Sequence, residues 1–379
     1  MSATAAAGVP GAPRRVAVLG AGAVGTLLGG LLAASGAEVV LLDPRVPDAG
    51  DEIVIREPTG RLMSVHVRRA ATPAELDASP DLAVLAVKTF DLAAALDDLR
   101  AWPGTPVLTI QNGVGAEDLV AGARPGVPHV AGSLTAPVER LGPHEVEWRG
   151  RGGIGLAPVS GDVESLLSGL VGAFGAAGLP AERIADARAM KWSKLLANLV
   201  GNALSALADL DPAAVYADPA LFDLERRQLL EALAVMRAQG IRPVGLPGAN
   251  VPLLAFGIRL PRPLAQLALR RVVGGARGGK SPSLRLHLRG GAPGPSEVAW
   301  LNGAVARSGH AHGVATPVNA ALAALVDAAT VDPVLAADLA DEPARIVALV
   351  AAGGPGGPPP PDAPDPDAAD PDHPRRLAP

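Results

Sequence analysis

The sequence predicts an α/β domain followed by an all-α domain. In the first half of the 379-residue chain, short apolar runs rich in β-branched residues alternate with helical segments, which is typical of an open, mostly parallel sheet. After about Asp186 only helical patterns are evident. A chain of this length can bury two hydrophobic cores. We therefore predict domains over residues 14–185 and 186–352, between disordered tails at residues 1–13 and 353–379.

The predicted elements follow from the apolar periodicity and the turn residues between them. In the first domain we predict strands at 16–19, 38–42, 82–87 and 107–110, helices at 24–35 and 92–99, and a hairpin over 53–67. The second domain should begin with one long helix from Asp186, a good N-cap residue, to about Leu210. Further helices are predicted at 219–239, 262–272, 297–312 and 317–329.

Composition excludes several classes of function. The net charge of −5 gives no basic surface for nucleic acid. The absence of cysteine excludes a disulfide framework, a thiolate nucleophile and a Cys-ligated zinc site, and we expect no metal. The uncharged stretch Val16–Ala37 follows two arginines, as in a signal peptide. Its six glycines and the strand-like run after it favour a strand–helix–strand unit, so we expect a cytoplasmic protein with no membrane partner.

A glycine-rich motif lies between the first predicted strand and the first predicted helix. Gly20, Gly22 and Gly25 form a GxGxxG sequence. The first glycine permits a tight turn, the second lets the backbone approach a pyrophosphate, and the third allows close packing of helix on strand. The N–H groups at the helix start, around Ala23 and Val24, attract phosphate. This context predicts a Rossmann-type dinucleotide-binding domain.

The end of the second predicted strand carries opposing signals about the cofactor. Asp43 can accept a hydrogen bond from the ribose 2′-hydroxyl of NAD. Arg45, two residues later, can bind the 2′-phosphate of NADP.

Polar side chains follow two more predicted strands. Lys88 comes after the strand at 82–87, and Asn112 comes after the strand at 107–110. Ligands of open α/β sheets bind at the carboxyl ends of the strands. We therefore interpret both residues as part of the site, although alone they would be a solvated charge and an ordinary turn residue.

A polar stripe interrupts the first helix of the second domain. Lys194, Asn198 and Asn202 are spaced by four residues, which predicts that they share one face of an otherwise apolar helix. Asparagine is a poor helix-interior residue, so these side chains need partners, either in a core hydrogen-bond network or in a ligand site. Glu297 follows Pro295-Ser296 at a predicted helix start, where it would also oppose the helix dipole.

With these segments assembled, the chain resembles the ketopantoate reductase (2-dehydropantoate 2-reductase) family from about Arg15 to Val326. The resemblance rests on GAGAVG at 20–25, AVKTFD at 86–91, QNGVG at 111–115, KWSKLLANLVGNALSAL at 191–207, and SEVAWLNGAVARSG with HGVATPVN at 296–319. The last two motifs are specific to the family and its close relatives.

The resemblance implies a role for each matching residue. It makes Lys194 the general acid of catalysis. It implies substrate binding by Asn112, Asn198, Asn202, Ser283 and Glu297, and cofactor binding by Gly20, Gly22, Ala23, Val24, Gly25, Arg45, Lys88 and Asn112.

Two segments depart from the family pattern. Pro44 stands where the family commonly has an arginine for the 2′-phosphate, and Arg45 follows it. After Ser283 the family usually continues with a Gln-Asp pair before a short loop, whereas this chain has Arg285, Leu286 and His287 and then a longer Gly/Pro-rich loop over residues 289–295.

The resemblance implies NADPH-dependent reduction of a 2-keto acid, with NADP favoured over NAD. The expected reaction converts 2-dehydropantoate to pantoate in pantothenate biosynthesis, carried out by a monomer or homodimer. One alternative is a reductase of another branched or hydroxylated 2-keto acid. Another is a non-catalytic NAD(P)H sensor, but a sensor needs no proton donor such as Lys194.

Overall fold

The structure, a computed structural model, describes residues 9–44, 50–276, 283–290 and 295–353. The described strands are β1 (Arg15–Leu19), β2 (Glu38–Leu42), β3 (Glu52–Arg56), β4 (Leu62–His66), β5 (Arg68–Ala70), β6 (Leu82–Leu85), β7 (Val107–Thr109), β8 (His129–Leu134), β9 (Val138–Arg140), β10 (Glu145–Trp148), β11 (Ile154–Ser160) and β12 (Ala181–Arg183).

Fifteen α-helices are described, and most of them follow the last strand. They are α1 (Ala23–Ala34), α2 (Leu92–Asp98), α3 (Ala116–Ala123), α4 (Glu164–Ala176), α5 (Ala187–Leu199), α6 (Ala203–Ala208), α7 (Pro212–Ala217), α8 (Pro219–Ala238), α9 (Val251–Arg259), α10 (Arg262–Ala276), α11 (Ser283–Arg289), α12 (Asn302–Ala311), α13 (Pro317–Val331), α14 (Pro333–Asp341) and α15 (Pro343–Ala351).

The strands form two sheets. The large sheet has eight strands in the order β12-β11-β8-β7-β6-β1-β2-β5, and its pairs are parallel except for β8 with β11. The small sheet has the order β4-β3-β10-β9 and contains the predicted hairpin, in which Glu52 is paired with His66 and Arg56 with Leu62. Because β1 lies between β2 and β6, the chain reverses direction across the sheet there, and such a switch point is where α/β sheets bind ligands.

Separate hydrophobic cores cover the two faces of the large sheet. One face packs against α1, α4 and the small sheet, with Leu28, Ile55 and Phe174 fully buried. The other packs against α2 and α3 through Leu92 and Val120. All the helices after β12 enclose a further aliphatic core, so the predicted fold class, a Rossmann-type α/β domain with a helical second domain, is confirmed.

The long helix predicted from Asp186 to Leu210 is wrong in one respect, because it breaks between α5 and α6. Asp186 does cap α5, its carboxylate accepting from the Ala189 N–H at 3.1 Å. Gly201 then adopts φ +60°, and a Cβ there would lie 2.9 Å from Cβ of Pro212. The Gly201 N–H leaves the helical pattern and donates to the buried carboxylate of Glu225 at 2.5 Å. A glycine inside an apolar run therefore marks a turn at this position.

The helix predicted at 297–312 is also divided. Residues Glu297–Trp300 form a 3-10 turn, and α12 begins only at Asn302, after a non-helical Leu301. The Trp300 carbonyl accepts from the Val114 N–H at 3.4 Å. This carbonyl therefore joins the helical domain to the loop after β7.

The same contact requires a glycine in that loop. Gly113 has φ +83°, and a Cβ there would overlap the carbonyl of Trp300. Gly126 has a similar φ of +78°, but a Cβ there would meet no atom within 4 Å. The two positions thus share a positive φ, but Gly113 is buried against Trp300 whereas Gly126 is exposed.

We expect both Gly113→Ala and Gly126→Ala to lower the free energy of unfolding by about 1 kcal/mol, because alanine disfavours positive φ. Gly113→Ala should cost about 1–3 kcal/mol more, because the new methyl group has no room. Urea unfolding of both variants measures the difference. Equal losses would show that the Gly113–Trp300 contact tolerates a side chain.

Candidate active site

The three glycines of the glycine-rich loop differ in the space around them. A Cβ at Gly20, where φ is +104°, would lie 2.8 Å from the Val87 nitrogen, and a Cβ at Gly25 would overlap the Gly20 carbonyl. At Gly22, which is exposed and caps α1, a Cβ would meet nothing within 4 Å. Gly20 and Gly25 thus allow close packing, whereas Gly22 leaves the helix N-terminus accessible. This geometry fits a pyrophosphate, as in dinucleotide-binding loops.

Asp43 lies beside this loop at the end of β2. Its carboxylate accepts from the Ala21 N–H at 3.3 Å, and the residue is only 6 % exposed. The acidic group is therefore fixed against the loop where a cofactor ribose would bind. Arg45, the other residue predicted to select the cofactor, lies outside the described residues.

Another guanidinium lies close to Asp43, and the sequence analysis missed it because β5 was not predicted. Arg69 on β5 donates to the carbonyls of Gly50 at 3.2 Å and Pro143 at 3.1 Å. Burial and the neighbouring Arg140 lower the pKa of Arg69, although Asp51 and Asp43 act in the opposite direction. The end of β2 is therefore a mixed environment of acidic and basic groups.

Lys88 and Glu297 form an ion pair between the two domains. Lys88 lies beyond the end of β6 with its side chain 57 % exposed, and Glu297 begins the 3-10 turn with its side chain 10 % exposed. The sequence predicted Lys88 as a cofactor-binding residue of the first domain and Glu297 as a substrate-binding residue of the second. The structure brings their charged groups into direct contact.

Asn112 and Asn198 form the second contact across the cleft. The side-chain amide of Asn198 donates to the side-chain oxygen Oδ1 of Asn112 at 3.2 Å. Asn198 lies one turn after Lys194 on α5, and both side chains are half-buried. Lys194 therefore shares a helix face with Asn198, which contacts Asn112 beyond the end of β7 in the first domain.

Asn202 lies after the break, so the prediction that it shares one continuous helix with Lys194 and Asn198 is wrong. It is buried at the N-terminus of α6, because the Gly201 turn redirects the chain. Its side-chain oxygen accepts from the Leu284 N–H at 3.2 Å. Ser283, the first residue of α11, is thus adjacent to Asn202.

A buried lysine on α5 was not predicted to have a role. Lys191 is 3 % exposed, and its ammonium donates to the Gln111 carbonyl at 2.6 Å and lies 3.0 Å from the Glu117 carboxylate. The only sequence signal was a charge within an apolar helix, three residues before Lys194. Pairing with a carboxylate on α3 could not be inferred from that spacing.

Comparison with known proteins agrees with this arrangement. Two family models match most of the chain: ketopantoate reductase PanE/ApbA at residues 16–161 and its C-terminal counterpart at residues 186–330. The chain belongs to the ketopantoate reductase PanE/ApbA family. It is accordingly an NAD(P)-dependent oxidoreductase, which removes the non-catalytic sensor from consideration.

Individual relatives match more than four-fifths of the chain. A 2-dehydropantoate 2-reductase of Halobacterium salinarum is 30 % identical over 319 residues, covering 82 % of this chain and 97 % of that protein. One from Caulobacter vibrioides is 29 % identical, with coverage of 83 % and 98 %. The crystal structure of a PanE/ApbA family ketopantoate reductase from Ralstonia eutropha superposes with a TM-score of 0.68 at 28 % identity, covering 83 % of this chain and 98 % of that one.

A solved D-mandelate dehydrogenase with NADH has a TM-score of 0.70 but only 23 % identity, covering 85 % of this chain and 99 % of that one, so it shows the shared fold alone. Among the described residues, no helix has the length and apolar character needed to cross a membrane.

Close to the site, His129 is buried in a position that keeps it uncharged. Its Nε2 lies 3.1 Å from the Thr109 hydroxyl, which also donates to Glu117 at 2.9 Å. Burial lowers the pKa of His129 to about 4, and Lys191 acts in the same direction, whereas Glu117 opposes it. The imidazole is therefore neutral at pH 7.

We expect this histidine to make folding sensitive to acid. Unfolding restores the ordinary pKa near 6.5, so the unfolded chain binds a proton that the folded chain excludes. Its contribution is fully present above pH 6.5 and declines as the pH falls toward 4, by about 3 kcal/mol in all. Urea unfolding of the wild type and of His129→Asn across that range should give a steeper pH dependence for the wild type. Parallel curves would show that His129 does not carry the effect.

Proposed function

We propose that this protein reduces 2-dehydropantoate to pantoate with NADPH, as a step of pantothenate biosynthesis. The observation that carries the proposal is the pair of contacts across the domain cleft, Asn112 with Asn198 and Lys88 with Glu297. The first of these contacts lies on the helix face of α5 that carries Lys194, because Asn198 is one turn after Lys194. In this proposal residues 14–185 bind the cofactor and residues 186–352 supply the proton donor.

The chemistry requires a proton donor that is placed opposite the hydride donor. NADPH, when bound, would supply a hydride to the C2 carbonyl carbon of the keto acid. The Lys194 ammonium would stabilise the negative charge that develops on the carbonyl oxygen and deliver a proton to it. Because α5 is capped by Asp186 and packed into the helical core, Lys194 is held on a rigid element.

The amides and the carboxylate orient the substrate. Asn112 and Asn198 fix one another, so their remaining hydrogen-bonding groups have defined positions for a carboxylate or carbonyl. Glu297 can accept a hydrogen bond from the substrate hydroxyl. Asn202 and Ser283 lie together at the start of α6 and α11 and would bind the distal part of the substrate.

The cofactor residues follow from the loop geometry. Gly20, Gly22 and Gly25, with the first turn of α1 at Ala23 and Val24, would hold the pyrophosphate. Lys88 supplies a positive charge at the end of the neighbouring strand β6 and would lie on the cofactor side of its pair with Glu297.

A second candidate is reduction of another branched or hydroxylated 2-keto acid. It is favoured by α11, in which Arg285, Leu286 and His287 stand in the segment after Ser283 where the family usually has a Gln-Asp pair. Arg285 on this helix pairs with Asp209 at 2.9 Å and Asp211 at 2.5 Å, so α11 is tied to the end of α6. A panel of 2-keto acids assayed with NADPH and NADH by nicotinamide absorbance distinguishes the candidates. Turnover of 2-dehydropantoate below that of another keto acid would reject the first.

Replacement of Lys194 by alanine should lower kcat at least about 100-fold, because the proton donor is lost. The dissociation constant of NADPH should change little, since the glycine-rich loop lies in the other domain. Steady-state kinetics and fluorescence titration of NADPH measure the two quantities. Near-normal turnover of the best keto acid would contradict the role of Lys194.

Glu297→Gln should raise the KM for hydroxylated keto acids about 10-fold more than the KM for plain aliphatic ones, because only the former donate a hydroxyl to the carboxylate. Lys88→Met is the matched control, since it breaks the same ion pair but leaves the carboxylate. If both variants raise KM equally for both substrate types, the pair itself matters rather than the hydroxyl contact.

Cofactor preference should depend on the two charged residues after β2. Arg45→Ala should weaken NADPH binding by about 1–3 kcal/mol and leave NADH unchanged, because a charge-assisted contact to the 2′-phosphate is lost. Asp43→Asn, which still accepts from the Ala21 N–H, should leave NADPH binding unchanged or tighten it. Dissociation constants for both cofactors test this. A wild type that prefers NADH, with NADPH binding unaffected by Arg45→Ala, would overturn the assignment.

A further inference from the structure

The buried ammonium of Lys191 connects three elements of the first domain to the first helix of the second. It donates to the Gln111 carbonyl at the end of β7 at 2.6 Å, and to the Gly132 carbonyl of β8 at 3.4 Å. It also lies 3.0 Å from the Glu117 carboxylate on α3. An ammonium has three donor hydrogens, so this set of partners matches its capacity.

The ion pair is almost completely removed from solvent. The side chains of Lys191 and Glu117 are 4 % and 10 % exposed. Thr109 donates to Glu117 at 2.9 Å, so the carboxylate is held from the strand side as well. Desolvation offsets most of the attraction in such a pair, so its net contribution to stability is small even though loss of one partner is costly. Stability alone therefore does not explain a lysine here.

The carbonyl that Lys191 binds belongs to the peptide group immediately before Asn112. The Gln111 side chain is held independently, because its amide donates to the carbonyls of Leu85 at 2.8 Å and Val87 at 3.1 Å. The backbone carbonyl and the side-chain amide of Gln111 are thus both held by hydrogen bonds. The peptide group that precedes Asn112 is therefore fixed. The Asn112 side chain then accepts from Asn198, seven residues after Lys191 on α5.

We propose that Lys191 is a positioning residue for the reduction, acting through the Gln111–Asn112 peptide. The inference rests on the proposed function. Lys191 and Lys194 are three residues apart on one rigid helix, so a fixed distance separates the anchor from the proton donor. By binding the Gln111 carbonyl, Lys191 sets where Asn112 and the end of β7 lie relative to Lys194. The contacts of Lys191 thereby align the cofactor-binding domain, which would present the hydride, with Lys194, which would deliver the proton.

The test compares two variants that differ only in the ammonium. Glu117→Gln keeps an acceptor for Thr109 and Lys191 and preserves the Lys191 bond to Gln111. The double variant Lys191→Met with Glu117→Gln removes the ammonium without leaving a buried carboxylate unpaired. Both should fold, although Glu117→Gln should unfold at a lower temperature than the wild type because its buried ammonium has lost the carboxylate, and thermal unfolding measures this.

We expect the double variant to have a kcat at least about 10-fold below that of Glu117→Gln, because small misplacements of reacting groups slow the chemistry. The primary deuterium isotope effect on kcat, with NADPH deuterated at the transferred position, should rise, while the dissociation constant of NADPH stays within about threefold. If Lys191 only stabilised the fold, the isotope effect on kcat would be the same in the two variants. Equal kcat and equal isotope effects in the two variants would overturn the proposal.

An independent measurement does not depend on the substrate. Hydrogen exchange of the amides in residues 111–115 should be at least about 10-fold faster in the double variant than in Glu117→Gln, because the peptide before Asn112 loses its anchor. Unchanged exchange would also refute the positioning role. A wild type that reduces no keto acid would instead refute the proposed function, and the exchange rates would still decide whether Lys191 fixes this loop.

Discussion

The arrangement of the site depends on the contact between the loop after β7 and the helical domain. The Trp300 carbonyl accepts from the Val114 N–H, and Gly113 lies so close that no side chain fits between them. This contact fixes the 3-10 turn that begins with Glu297, and through it the ion pair with Lys88. A backbone contact without side chains sets the distance between the domains more tightly than a pair of flexible side chains would.

A buried carboxylate performs a similar task inside the helical domain. Glu225, which is completely buried, accepts from the Gly201 N–H and the Tyr216 hydroxyl at 2.9 Å, and so holds the turn that places Asn202. The same carboxylate accepts from Gln228, whose oxygen in turn binds Asn302. A satisfied network of this kind rigidifies a core that aliphatic side chains alone would leave less specific. The scarcity of aromatic residues makes that contribution more important here.

Local patterns predicted the fold and the glycine-rich loop, whereas contacts between distant segments could not be predicted. The spacing of Gly20, Gly22 and Gly25 and the predicted strand before them indicate a turn, and the structure contains that turn. The break at Gly201 was missed because Leu and Ala on both sides favour helix. The carboxylate of Glu225, which accepts from the Gly201 N–H, lies 24 residues away in the sequence. Lys191 was missed for the same reason, since its partner Glu117 belongs to the other domain.

The ion pair between Lys88 and Glu297 joins an exposed charge to a buried one. Lys88 is 57 % exposed, whereas the Glu297 side chain is only 10 % exposed, so the carboxylate needs a donor wherever Lys88 lies. In the proposed function a substrate hydroxyl would take the place of Lys88 as the donor to Glu297. The Lys88 ammonium would then lie next to the end of β6, where a phosphate-bearing cofactor would attract it. In that proposal the two charges neutralise each other before binding and are divided between substrate and cofactor afterwards, whereas the Gly113–Trp300 contact between the domains involves no charge that a ligand would take.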